Sequence, residues 1–145
     1  MKKIFTYSIL AVLMAILFTS CRKEKVQDNN SYWLSQERGT VVYKSNYCGI
    51  FVLETAYGFT IIQSHDGLRV YTGDLLYGNF GGMGTRDFYN YSTGAVTRGE
   101  VLEYDLSYYQ AQDAIDFYCP YGKAAGSMII ESVKPKAKIA RPGGL

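Results

Sequence analysis

The stretch "CGIFVLETAYGFTIIQSHDGLRVYT", residues 48–72, decides the fold class. Ile50 to Leu53 is an unbroken apolar run, rich in β-branched and aromatic residues. Such a short run between turn signals reads as a well-buried strand. Tyr57-Gly58 breaks it, and "FTIIQSH" begins a second run. Asp66-Gly67 then predicts a two-residue hairpin into "LRVYT", because a type I′ turn needs positive φ at both central positions.

The pattern continues on both sides. "TVVYK", residues 40–44, is a short β-rich run before the quoted stretch, and Gly73-Asp74 turns the chain into "LLYGNF", residues 75–80. Together these runs make a β-meander. Residues 78–99 hold six glycines in 22 positions, too many for regular structure at low cost, so they read as loop with "RDFYNY" as a strand inside it. "EVLEYDL", residues 100–106, is a further strand.

The period then changes. Ser107 followed by Gln110 is a capping box. Ala111, Ala114, Ile115 and Tyr118 recur at helical spacing, and Pro120 and Gly122 stop the helix. "GSMIIESV", residues 126–133, is a closing strand. The expectation is a mainly β protein: a small OB-like barrel, meander plus closing strand, with one short helix plugging an end.

The N-terminus sets the compartment. Lys2 and Lys3 precede a run of 15 largely apolar residues, Ile4 to Phe18, then Thr19, Ser20 and Cys21. That order is a secretory signal. The run is short of the about 20 apolar residues a spanning helix needs. Phe18-Thr19-Ser20-Cys21 also resembles the lipobox of bacterial lipoproteins, with Phe18 where that family usually has Leu. The resemblance implies cleavage before Cys21 and a diacylglyceryl group on its sulfur. Two or more acyl chains, at about 0.8 kcal/mol per buried methylene, anchor a protein firmly. Residues 1–20 are then the signal, and 21–38 the lipidated Cys21 and a flexible tether. The barrel domain spans 39–133, and 134–145 is a basic flexible tail. In lipoproteins of Bacteroidota an acidic cluster just after the cysteine resembles a surface-export signal; here Arg22, Lys23 and Lys25 outnumber Glu24, so the resemblance implies the periplasmic side of the outer membrane rather than surface display.

Removing 20 of 145 residues leaves 125, enough for one modest domain. Lys2 and Lys3 leave with the signal, so 15 basic residues become 13 against 13 acidic ones. A balanced chain does not point to nucleic acid. Lys134, Lys136, Lys138 and Arg141 follow the last acid, Glu131. The bland reading of this segment is a solvated tail; the sharper one is a patch for anionic head groups or envelope polymer. With Cys21 lipidated, Cys48 and Cys119 remain as an even pair in an oxidising compartment, which predicts a disulfide between them. No CxxC is present, so redox catalysis and a zinc ribbon are not indicated.

Residues 46–133 resemble the OB-like domain of small lipoproteins of Bacteroidota, including the NigD-like group. The shared elements are "CG" opening a strand, "GDLLYGNF…GTRDFYN", and "AIDFYCP" before "MIIESVK". The resemblance implies a fold and an envelope location. It lends no catalytic residue.

Chemistry is sparse. His65, the one histidine, lies in "QSHDG", but adjacent strand side chains point to opposite faces and so make no triad. "GNFGGMGT" lacks the Lys-Ser/Thr ending of a phosphate loop. Glu54, Asp87, Glu103 and Asp105 are the candidate carboxylates. Glu103 and Asp105 share a strand face that suits a cation or, more often, water. Asn90-Tyr91-Ser92 matches a glycosylation sequon, which matters only on a eukaryotic secretory route. The 13 tyrosines outside the signal are the unusual feature. Most suit cross-strand packing. Tyr71, Tyr77, Tyr89 and Tyr91 fall around the loops of a barrel rim, where OB-type folds often bind ligands.

The sequence therefore points to a lipid-anchored envelope protein that is not an enzyme and needs no cofactor or metal. It would act as a binding or structural module whose partners are the membrane and an envelope glycan or protein, the ligand being a sugar or peptide. The alternative is a hydrolase of envelope polymers using surface carboxylates. Cys21→Ala should release the protein from the membrane fraction or leave the precursor uncut; a normally processed, fully membrane-bound variant would refute lipidation.

Overall fold

The computed structural model describes residues 30–65, 70–120 and 139–142. The signal segment, Cys21, the tether up to residue 29, the Asp66-Gly67 turn, the expected strand at 126–133 and the tail lysines lie outside the described residues. Among those described, no helix is long and apolar enough to cross a membrane.

The expectation of a mainly β, small OB-like barrel holds. Six strands run as β1 (Glu37–Lys44), β2 (Ile50–Thr55), β3 (Gly58–Ser64), β4 (Leu75–Gly78), β5 (Gly84–Asn90) and β6 (Ala95–Leu106). Helix α1 (Asn30–Leu34) precedes them and α2 (Tyr108–Tyr118) follows. Around the ring the order is β1-β2-β3-β6-β5-β4, all antiparallel. Two three-strand meanders are thus joined at both edges, β1 to β4 and β3 to β6, and these six strands close the ring.

The expected hairpin between 59–65 and 68–72 does not form. Both edges of β3 are taken, one by β2 and the other by β6. Of the second half, residues 70–72 are not a strand. Instead Val70 is buried in the barrel interior, and Val41 and Gly73 bond the connection to β1 through Val41 N–H to Asp74 O and Gly73 N–H to Val41 O. A two-residue turn signal is local, whereas the edge of β3 that it would need is paired with the long β6.

The apolar run of β2 is buried on both faces. Phe51 and Leu53 point into the barrel with Val41, Ile62, Val70, Leu76, Phe80, Phe88 and Val101. Ile50 and Val52 point outward and pack with Val42, Phe59 and Ile61 beneath Ala111, Ala114 and Ile115 of α2. Helix α2 therefore lies against the outside of the wall rather than plugging an end. A bulge between Val41 and Tyr43 turns Val42 and Tyr43 towards the helix side.

Helix α2 starts as its sequence requires. The Ser107 hydroxyl accepts from Gln110 N–H at 3.4 Å, and the Gln110 side chain accepts from Ser107 N–H at 2.9 Å. At the other end Cys119 caps the helix and is bonded to Cys48, with Cα atoms 5.6 Å apart. The Ser45 hydroxyl lies 3.3 Å from the Cys119 sulfur and also accepts from Tyr47 and Cys48 N–H, so one buried hydroxyl organises the β1–β2 turn around the bridge. Burial and then the negative charge of Glu103 push the Tyr118 phenol up, which keeps that phenol protonated beside β6.

The domain also starts earlier than residue 39. Helix α1 and the first residues of β1 come from the expected tether, and Trp33 stacks on Tyr89 at 6.2 Å between centroids. Two adjacent aromatics, Tyr32 and Trp33, give no periodicity, which is why residues 30–38 read as linker. The disulfide closes a sequence separation of 71 residues. Replacing both cysteines by serine should cost about 4 kcal/mol of stability in denaturant unfolding. A loss below about 1 kcal/mol would show that packing alone holds α2 to the wall.

Candidate functional site

The four tyrosines expected at a rim do not act together. Tyr77 and Tyr89 are register partners on β4 and β5, and Tyr77 meets Tyr91 edge-on at 6.0 Å. Tyr89 is only 8% exposed because Trp33 covers it, so it is a packed ring and not an open contact surface. Tyr91 is 53% exposed. Tyr71 is exposed elsewhere, with the Lys44 ammonium 5.0 Å from its ring centroid. The cluster is cross-strand packing with one open edge.

The carboxylates are dispersed too. Asp87 pairs with Arg98 at 2.8 Å on the surface, and the Arg98 hydrogen bond holds its carboxyl below the usual range. Glu103 lies against the Tyr118 phenol. Glu103 and Asp105 were expected on one strand face. They diverge because Asp105 has φ +55°, a left-handed conformation that breaks the alternation. His65 faces Glu100 at 3.5 Å on the exposed side of β3 and β6, not a nucleophile. The Asn90 side chain of the sequon is buried: its oxygen accepts from Ser92 and Thr93 N–H, and its amide donates to Asp74 at 2.8 Å. Among the described residues no group of three or more potential metal ligands occurs.

The structure instead opens a cavity of about 850 Å³ at the end of the barrel where β1 begins, β2 turns into β3 and β6 passes to α2. Gln36, Thr40, Glu54, Tyr57, Tyr108 and Tyr109 are among its lining residues, as is Arg141. The volume is within the range of small-molecule sites. Aromatic and polar side chains both contribute to its lining.

Arg141 is the centre of its electrostatics. Its Nη1 and Nη2 donate to the Glu37 carboxylate at 2.7 and 3.2 Å. Its Nε and Nη2 donate to Asp105 at 3.0 and 2.9 Å. The Tyr57 ring centroid lies 4.2 Å from the guanidinium carbon. The bonds to Asp105, and then those to Glu37, push the deprotonation of Arg141 further up, while partial burial opposes them. Residues 139–142 belong to the segment expected to be a solvated tail, yet Arg141 is held against the barrel by two bidentate ion pairs. Neither Glu37 nor Tyr57 stood out in the sequence. Glu37 and Arg141 are 104 positions apart, and no local pattern connects them.

Comparison with known proteins finds no matching family model, no matching curated protein and no matching solved structure.

The left-handed Asp105 provides a test of how the site is built. Asparagine tolerates this conformation and a β-branched residue does not. Asp105→Asn and Asp105→Val both delete the charge, so their difference isolates the backbone. Asp105→Val should be less stable than Asp105→Asn by about 1–2 kcal/mol in thermal or denaturant unfolding. Equal stabilities would show that the conformation costs the chain nothing.

Proposed function

We propose that this chain is a lipid-anchored protein of the cell envelope whose barrel is a non-catalytic binding module for a sugar or peptide. The membrane anchor rests on the sequence from Lys2 to Cys21. The binding role rests on one observation, the cavity with Tyr57, Tyr108 and Tyr109 among polar Gln36, Thr40 and Ser107. Aromatic faces take the apolar face of a sugar ring or a peptide side chain, and the short polar groups fix orientation. The ligand face is moved by this reading from the Tyr77–Tyr91 cluster to the cavity.

The hydrolase alternative needs a carboxylate with a free lone pair or proton near the reacting bond. Among the described residues two carboxylates line the cavity, Glu37 and Glu54. Glu37 spends both oxygens on Arg141, and so does Asp105 on the adjacent edge of that arginine. A carboxylate chelated in this way is a poor nucleophile and a poor proton donor. Glu54 is thus left without a second available carboxylate beside it in the lining, which supports binding over turnover.

The test is capture of soluble oligosaccharides and peptides, released by digestion of envelope material, on the full chain held in detergent. Tyr109 is 77% exposed, so Tyr109→Ala leaves folding intact. It should lower retention of a captured species roughly tenfold, whereas Tyr91→Ala should not. Retention that depends on Tyr91 and not on Tyr109 would return the ligand to the β4–β5 face. Cleaved products in the eluate would instead establish the hydrolase.

A further inference from the structure

We infer that Glu37, Asp105 and Tyr57 form a receptor for a guanidinium group, occupied by the chain's own Arg141, and that an arginine side chain of a peptide ligand takes its place. The inference rests on the cavity being the ligand site and names the ligand class within that reading.

The geometry is specific to a guanidinium. Four carboxylate oxygens receive hydrogen bonds from three nitrogens of one planar group, two bonds to each carboxylate. One edge of the guanidinium faces Glu37 and the adjacent edge faces Asp105. A lysine ammonium is a point donor and cannot satisfy two forks at once. The Tyr57 ring at 4.2 Å supplies a cation–π face. Side-chain exposures of 22% for Arg141, 13% for Glu37 and 19% for Asp105 place the contact in a sheltered corner, not on an open surface. The receptor is also preformed by the barrel. Glu37 sits on β1, opposite Gly78 of β4. Asp105 is aimed by its left-handed backbone. Tyr57 lies in the turn between β2 and β3. None of the three belongs to the segment that carries Arg141.

That segment contributes little else. Ile139, Ala140 and Pro142 are exposed, and Arg141 is the one residue of 139–142 that is not. No backbone hydrogen bond ties 139–142 to a strand among the described residues. A single side chain thus fills a subsite that opens onto a cavity of about 850 Å³. A peptide lying in the cavity with its arginine in the clamp would reproduce every contact of Arg141 and add its own contacts to Tyr108 and Tyr109. Arg141 then competes with the ligand from within the same chain and lowers its apparent affinity by the fraction of time it occupies the clamp.

The test compares the full chain in detergent with its Arg141→Ala variant, titrated by calorimetry with N-acetyl-arginine amide and N-acetyl-lysine amide. The variant should bind the arginine probe roughly tenfold more tightly than the unaltered chain does, and roughly tenfold more tightly than it binds the lysine probe. Adding Asp105→Asn to the variant should abolish the preference. If Arg141→Ala folds poorly, the readout is its melting temperature, which ethylguanidinium should raise and ethylammonium at the same concentration should not. Arg141→Lys, which leaves the forks unfilled but keeps a cation, should respond in the same direction. Equal binding of the two probes, no gain over the unaltered chain, or no guanidinium-specific rise in melting temperature overturns the inference and leaves Arg141 as a tether. Capture of a sugar that depends on Tyr109, without any arginine preference, would remove this inference alone and leave the binding module standing.

Discussion

Strand β2 is covered on both faces, and the rest of the molecule depends on that double burial. Phe51 and Leu53 fill the barrel while Ile50 and Val52 pack beneath α2. Fully burying such side chains is worth about 1.5–3 kcal/mol each, as an upper bound relative to an extended chain. Without the helix, the outer wall of β1, β2 and β3 would present Val42, Ile50, Val52, Phe59 and Ile61 to water. The helix is only 11 residues long and too short to be stable alone. It needs the wall as much as the wall needs it, and the bridge from Cys119 to Cys48 in the β1–β2 turn joins the end of the helix to the wall.

The barrel interior imposes a different constraint. Phe80 and Phe88 stack inside it at 5.3 Å and occupy much of a narrow ring. Gly78 and Gly99 make the room. A Cβ at Gly78 would lie 2.7 Å from Phe88 Cδ1, and one at Gly99 2.8 Å from Ile62 Cγ2. Both glycines are strand residues, in β4 and β6. In the sequence they look like loop, because glycine is costly in regular structure. A small closed barrel reverses that preference where a large side chain crosses the strand from inside. This is the physical reason that residues 78–99 read as loop around a single strand at "RDFYNY", when the structure spends most of them on β4, β5 and β6.

What could be read from the sequence was what is local or what is forced by counting. The capping box at Ser107 and Gln110 needs four consecutive residues, and the pairing of Cys48 with Cys119 needs only an even remainder. The buried character of 50–53 is visible in the run itself. Three further misreadings involve contacts between distant segments. The edge of β3 that a hairpin with the following residues would need is claimed by β6. Tyr89 looks like a rim residue until Trp33, 56 positions earlier, is seen to cover it. Arg141 looks like one of several basic tail residues until the barrel brings Glu37 and Asp105 to one corner. Neither contact leaves a periodic or spacing signature.

The position of that corner follows from one backbone angle. Asp105 is the second-to-last residue of β6, and its positive φ turns the chain just before the helix cap at Ser107. Had the strand continued with regular alternation, Asp105 would share a face with Glu103, beside the Tyr118 phenol and the apolar wall under α2. The left-handed turn instead sends the Asp105 carboxylate to Arg141, which lines the cavity. It also lets Leu106 reach the cluster under the helix. Gly58, opposite this point with φ +130°, must lack a side chain because a Cβ would lie 2.5 Å from the Leu106 carbonyl oxygen. The kink that starts α2, the close approach of β3 and the carboxylate that binds Arg141 are therefore one structural feature. A substitution that straightens β6 disturbs the helix start and the cavity together.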